Sequence, residues 1–223
     1  MTPRANGAAS ARIVGDAVKP LMPAVGPVYV LLVGEAPGPR GADKSGIPFF
    51  GDAAGRHLYD ALVRMGVVSL PDQIEDLEWD GALFAANGAH PVANGVALGN
   101  AFDRCPTDDG TSFRAPTRSE LEGAPNIARI TSELAMLSER GLRGVVTMGR
   151  VATRTLDVVL HATPMPALVR HALPHPSAQG LLSMAPDRGR GAKMSDLQRA
   201  WQVKLRDAVV DAGYPPHLVK AFT

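Results

Sequence analysis

The sequence predicts an α/β fold: a three-layer αβα sandwich around a central, mostly parallel four-stranded sheet. Two observations carry this. Short apolar runs alternate four times with stretches of helical spacing, which is the pattern of strand–helix–strand crossovers that place helices on both sheet faces. Hydrophobic residues are 45% of the 223 and charged residues 20%, so a sizeable core can form and global disorder is excluded.

The elements follow in order. Residues 1–26, rich in Ala, Gly and Pro, are expected to form a partly ordered arm ahead of one domain over 27–223. Pro27-Val28-Tyr29-Val30-Leu31-Leu32-Val33 is an unbroken apolar run closed by Gly34, as in a strand buried on both faces. Residues 35–52 read as a long Gly/Pro loop. Leu58, Leu62 and Met65 then share one side of a helix over 53–65 that Gly66 ends. The short apolar run 82–87, ending in Asn87, is expected to be the second strand. A stretch without regular structure follows to Pro116, and a loop that long is often functional. Thr117 and Glu120 have capping-box spacing and start a helix that breaks at Pro125 and resumes to Glu139. Residues 144–148 are the third strand, 151–160 a helix and 167–173 the fourth strand. Leu197, Trp201, Leu205, Ala208 and Ala212 lie along one side of a final helix.

Bulk properties narrow the function. Lys plus Arg is 23 and Asp plus Glu 22, so any nucleic-acid site must come from local clustering. The single cysteine, Cys105, excludes an internal disulfide and any metal or iron–sulfur site built from several cysteines. No apolar run is long enough to span a membrane, and residues 1–20 lack the apolar core of a signal peptide. A soluble, cytoplasmic monomer is the expectation.

In an open parallel sheet, ligands bind beyond the carboxyl ends of the strands. Glu35 follows the first strand, Asn87 ends the expected second, and His175 follows the fourth between Pro174 and Pro176. The fold would bring these distant residues to one rim. The loop Gly34-Glu35-Ala36-Pro37-Gly38-Pro39-Arg40-Gly41 is a poor phosphate cradle. Two prolines remove backbone donors, and Asp43 stands where a triphosphate loop ending in Lys44-Ser45 needs its second glycine. The loop instead offers carboxylates beside Phe49 and Phe50, an arrangement suited to stacking a base.

These residues resemble the uracil-DNA glycosylase superfamily. Gly34-Glu35-Ala36-Pro37-Gly38 is similar to the opening motif of its family 4, and Gly41 to Asp52 is closer to family 5. His175-Pro176-Ser177 resembles the second catalytic motif. Ala86-Asn87 stands where the base-reading asparagine is expected, and Met148-Gly149-Arg150-Val151-Ala152 resembles the turn between the two motifs. The resemblance covers roughly residues 27–212.

The resemblance implies an enzyme that extrudes uracil from DNA, hydrolyses its glycosidic bond and releases free uracil, with no cofactor and no lyase step. It implies that Phe49 stacks on the base, with Gly34 and Ala36 beside it, and that Asn87 reads the amide edge. His175 would donate to uracil O2. Glu35 or Asp43 would position the water, and the sequence leaves that choice open. Ser177, Gln179 and Leu181 would face DNA, with Leu181 or Leu182 as a wedge. Arg188, Arg190 and Lys193 form a local basic patch suited to phosphates. Families 4 and 5 hold an iron–sulfur cluster on four cysteines, which this chain lacks; the long stretch 91–116 is expected to take over its structural role. Hypoxanthine or xanthine as the base, and non-catalytic binding of DNA or abasic sites, remain alternatives.

Overall fold

A computed structural model describes residues 12–163 and 167–220. The elements run β1 (Val30–Gly34), α1 (Ala42–Ser45), α2 (Ala53–Met65), β2 (Val68–Ser69), α3 (Gly81–Ala86), β3 (Val92–Ala93), β4 (Val96–Asn100), α4 (Arg118–Glu122), α5 (Ala124–Glu139), β5 (Gly144–Met148), α6 (Arg150–Ala162), β6 (Val169–Leu173), α7 (Ala178–Leu182) and α8 (Met194–Asp211). The main sheet is parallel throughout, in the order β4-β1-β5-β6. β2 and β3 form a separate antiparallel pair.

Strand alternation divides the core between the two faces. Val30 and Leu32 of β1 pack with α2 and α8 through Leu58, Leu62, Trp201 and Leu205. Leu31 and Val33 face α5 and α6 through Ile130, Leu134, Leu156 and Val159. This is the expected three-layer sandwich. Each fully buried Leu or Val contributes about 1.5–3 kcal/mol over its exposed state, so both faces are needed to hold the sheet. The helix starts match their sequence signals. Asp52 caps α2 by accepting from Gly55 N–H, and Thr117 and Glu120 form the full capping box of α4. Pro125 sits in the first turn of α5, where its missing N–H costs nothing.

The second strand is not where the sequence places it. Residues 81–86 are helix α3, because the Asp80 carboxylate accepts from the N–H groups of Ala82 and Leu83 and nucleates a turn there. A short apolar run does not distinguish strand from helix by its periodicity; here the cap decides. Phe84 then turns inward and stacks on Phe50 at 4.4 Å. The strand beside β1 is β4, inside the stretch expected to be irregular, with Gly34 opposite Asn100. Val-Ala-Leu-Gly-Asn has weak intrinsic strand preference. Burial of all five residues holds it in place.

Residues 12–26 pack against the sheet without a helical turn. Leu21 exchanges backbone hydrogen bonds with Leu98 at 2.9 and 2.8 Å, covering the outer edge of β4. Ile13 and Val18 are buried beside it.

Candidate active site

An open cleft of about 1150 Å³ runs along the carboxyl ends of β1, β5 and β6. Its inner end is built on the tight loop after β1. Phe49 lines the cleft and has φ 63°, the only non-glycine residue with positive φ among those described. Such a backbone costs on the order of 1–3 kcal/mol and persists only where the surroundings enforce it. Two glycines do so. A Cβ at Gly55 would lie 1.5 Å from Phe49 O, and one at Gly34 would lie 2.4 Å from the Phe49 ring. The same Cβ at Gly34 would stand 3.2 Å from Asn100 Oδ1. The aromatic ring and the Asn100 amide therefore meet over Gly34.

Asn100 is 6% exposed, and its Nδ2 is a buried donor without a partner. An unmet buried donor costs about 1–3 kcal/mol, so its retention calls for an explanation. A ligand acceptor beside Phe49 supplies one. Asn100 does not itself border the open cleft; it lines a separate small cavity with Ile130 and Leu156, and only Gly34, which carries no side chain, stands between its Oδ1 and the Phe49 ring.

Two carboxylates and one imidazole share this end. Glu35 follows β1 directly, and burial raises its carboxyl above the ordinary range. Asp52 is raised mainly by burial, against the hydrogen bond from Gly55 and the nearby His175, which both lower it. Burial lowers His175 below its usual 6.5, with Asp52 opposing. The backbone before His175 and one side of its ring are held. Trp201 Nε1–H donates to Pro174 O at 2.8 Å, and Ser177 N–H donates to His175 Nδ1 at 3.2 Å. With Nδ1 accepting, the proton of the neutral ring is on Nε2.

The sequence-derived candidates separate clearly. Glu35, Ala36, Phe49, His175, Ser177 and Gln179 line the cleft, and Gly34 lies against the Phe49 ring without lining it. Asp43 does not line it. Its carboxylate is buried and accepts from Val14 N–H and Gly15 N–H at 2.9 and 2.8 Å, with Lys44 Nζ at 3.1 Å. It is committed to holding the segment 12–26. Asn87 is exposed at the end of α3, where its own Nδ2 donates to Leu83 O, so it stands on no strand end and away from the cleft. Leu181 is 1% exposed and packs in the core, which removes it as a DNA contact. Leu182 is half-buried against Gly189. Arg190 and Lys193 are exposed but not on the cleft, and the Arg188 side chain lies outside the described residues.

Sequence reasoning missed five residues of this region. Asp52 had a signal, an aspartate just before a helical run. Asn100 had a weaker one, an asparagine closing the apolar run after Asn94-Gly95. Arg150 and Arg154, exposed on α6, line the cleft, as does the exposed Phe113. Among the described residues no group of three or more His, Cys, Asp or Glu is arranged to hold a metal ion. Cys105, the chain's one cysteine, is buried, with its thiol pushed up to about 11 mainly by burial. These residues do not fit a four-cysteine cluster. No helix among the described residues is long and apolar enough to cross a membrane.

The chain is similar to known proteins. The Uracil DNA glycosylase superfamily profile matches residues 24–202. A type-5 uracil-DNA glycosylase of Thermus thermophilus is 32% identical over 130 residues, covering 57% of this chain and 48% of that protein. The chain thus spans about half the length of this curated relative.

Proposed function

The chain belongs to the uracil DNA glycosylase superfamily, and we propose that it is a monofunctional uracil-DNA glycosylase acting in base-excision repair. It hydrolyses the N-glycosidic bond of an extruded uracil and leaves an abasic site. The observation that carries this reading is the unpartnered Asn100 amide across Gly34 from Phe49, which lines a cleft together with Glu35, Asp52 and His175.

The chemistry follows from these groups. Extruding a base costs a few kcal/mol. Stacking on Phe49, worth about 1–3 kcal/mol, offsets part of that cost. Asn100 Nδ2–H donates to uracil O4 while Oδ1 accepts from N3–H, so the base satisfies the buried donor. Bond breaking builds positive charge on the sugar and negative charge on the uracil. A carboxylate about 4 Å from the sugar contributes on the order of 4 kcal/mol at an effective dielectric of 20. His175, neutral because burial disfavours its charged form, donates from Nε2–H to O2 as the leaving group becomes anionic.

Glu35 positions the water. Its carboxylate makes no hydrogen bond to protein among the described residues, whereas Asp52 is committed to capping α2 and acts on His175 through its charge. No lysine lines the cleft among the described residues, so water rather than an amine attacks the sugar.

A second reading has one observation in its favour. Hypoxanthine presents the same acceptor and N–H pair to an asparagine as uracil does, and a cleft of about 1150 Å³ has room for a purine. The test uses labelled oligonucleotides with one uracil, hypoxanthine or xanthine, in single and double strands, treated with protein and then with alkali. Cleavage at uracil only after alkali supports the proposed function. Cleavage only at a deaminated purine moves the specificity, and strand scission without alkali overturns the monofunctional mechanism.

A further inference from the structure

Phe113 stands on the outer wall of the same cleft and takes no part in the excision chemistry. It is 50% exposed, the only aromatic among the exposed large hydrophobics described and the only one of them that lines the cleft. Leaving half of a Phe side chain in water forgoes favourable apolar burial. A floppy loop tip would explain such a ring, but this loop is tied on both sides of it. Asp109 accepts from Thr111 N–H and Ser112 N–H at 2.8 and 2.7 Å, and these bonds hold its carboxyl well below the usual range. Thr107 pairs with Phe113 as a β-bridge. Arg114, the next residue, forks onto both oxygens of Glu120 at 2.7 and 2.8 Å and also bonds Asp108. The ring is thus presented to the cleft by a braced loop.

Its neighbours on the cleft define the kind of partner. Arg150 and Arg154 are exposed on α6 and line the same cleft, Arg154 also pairing with Glu122 at 3.1 Å. An exposed aromatic with nearby cations is the composition that binds unpaired nucleic acid, the ring stacking on a base and the cations following the backbone. The wall after His175 offers no such ring, since Gln179 is polar and Leu181 is buried. The cleft also exceeds the roughly 300–1,000 Å³ of ordinary small-molecule sites, leaving room beyond one base.

We propose that Phe113 is a stacking platform for the nucleobase adjoining the extruded uracil on the same strand, and that it favours single-stranded DNA. The inference rests on the glycosylase reading above. Extrusion leaves a neighbouring base with one bare face, and Phe113 replaces the lost stack. An unpaired strand can turn that base onto the outer wall cheaply; a paired one must also break hydrogen bonds to do so. Phe113 is a positioning residue and touches no reacting atom.

The test is a cycle between protein and substrate. Wild type, Phe113→Ala and Phe113→Tyr act on single-stranded uracil oligonucleotides with normal flanking bases or with abasic analogues on both sides of the uracil. Equal melting temperatures confirm intact folding. For Phe113→Ala, KM should rise about 5- to 100-fold on the normal strand, with a much smaller change in kcat. Phe113→Tyr should restore it. On the strand without flanking bases, wild type and Phe113→Ala should have the same KM. An unchanged KM on the normal strand, or an equal loss on both strands, would overturn the proposal. If wild type releases no uracil, the glycosylase reading fails separately. Affinity for the two oligonucleotides then decides the stacking claim by the same pattern: a loss confined to the normal strand supports it, and no loss or an equal loss overturns it.

Discussion

The two ends of the cleft handle polarity in opposite ways. At the inner end the groups are buried or half-buried and desolvated: Asn100 Nδ2 has no partner, Glu35 and Asp52 are raised by burial, His175 is lowered, and Phe49 holds a strained backbone. At the outer end charges are exposed and several are paired, as in Arg154 with Glu122 and Arg170 with Asp157. Unmet polarity in a desolvated place is what a transition state can exploit, because fixed dipoles are worth more there than in water. Solvated charge and an exposed ring contribute affinity. The inner end should therefore govern kcat and the outer end KM and salt dependence.

The sharpest break of that division is His175→Ala. Its kcat for uracil release should fall about 10²- to 10⁴-fold with little change in DNA affinity, measured by single-turnover excision beside binding to an uncleaved strand. Equal losses in both would erase the distinction between the ends.

Asp43 sharpens it from another side. Its two backbone hydrogen bonds hold residues 12–15 away from the cleft, so Asp43→Ala should cost about 2 kcal/mol of stability in urea denaturation while kcat at 25 °C stays near wild type. A collapse of kcat in folded protein would return Asp43 to the chemistry.

The pH dependence follows from the same burial. Raised carboxyls at Glu35 and Asp52 mean that the active, ionised form is lost on acidification sooner than for ordinary carboxylates at 4.5 and 3.8. His175 protonates below 6.5. The unfolded chain takes up this proton first as pH falls, so the contribution of His175 to stability is complete above 6.5 and declines below it. The acid limb of kcat/KM should lie above the ordinary carboxylate range, and Glu35→Gln should alter its shape. Changes at the outer end are smaller. Arg154→Ala should lower the salt slope of single-strand binding by about 0.7 and raise KM modestly.

Legibility in the sequence tracked the kind of force at work. Strands β1 and β5 and helix α2 were readable because burial on one or both faces writes itself as apolar runs or helical spacing. Glu35, Phe49 and His175 were readable as a rim because parallel topology brings strand ends together. The interval 81–100 was not. Asp80 converts an apolar run into α3, while β4 is held by tertiary burial that its Ala and Gly residues do not advertise. The sequence therefore puts Asn87 at a strand end, while the strand beside β1 ends in Asn100. Asp43 misled for a related reason: a loop carboxylate reads as chemistry until a distant segment is seen bonded to it.

The central claim is that Asn100 reads the base, and the direct measurement is single-turnover excision from a uracil oligonucleotide by Asn100→Ala and Asn87→Ala, with melting temperatures for both. Asn100→Ala should lose at least about 100-fold in rate and melt no lower than wild type, because a buried unmet donor has been removed; Asn87→Ala should excise at the wild-type rate. Full activity in Asn100→Ala, or a collapse in Asn87→Ala, would contradict the account.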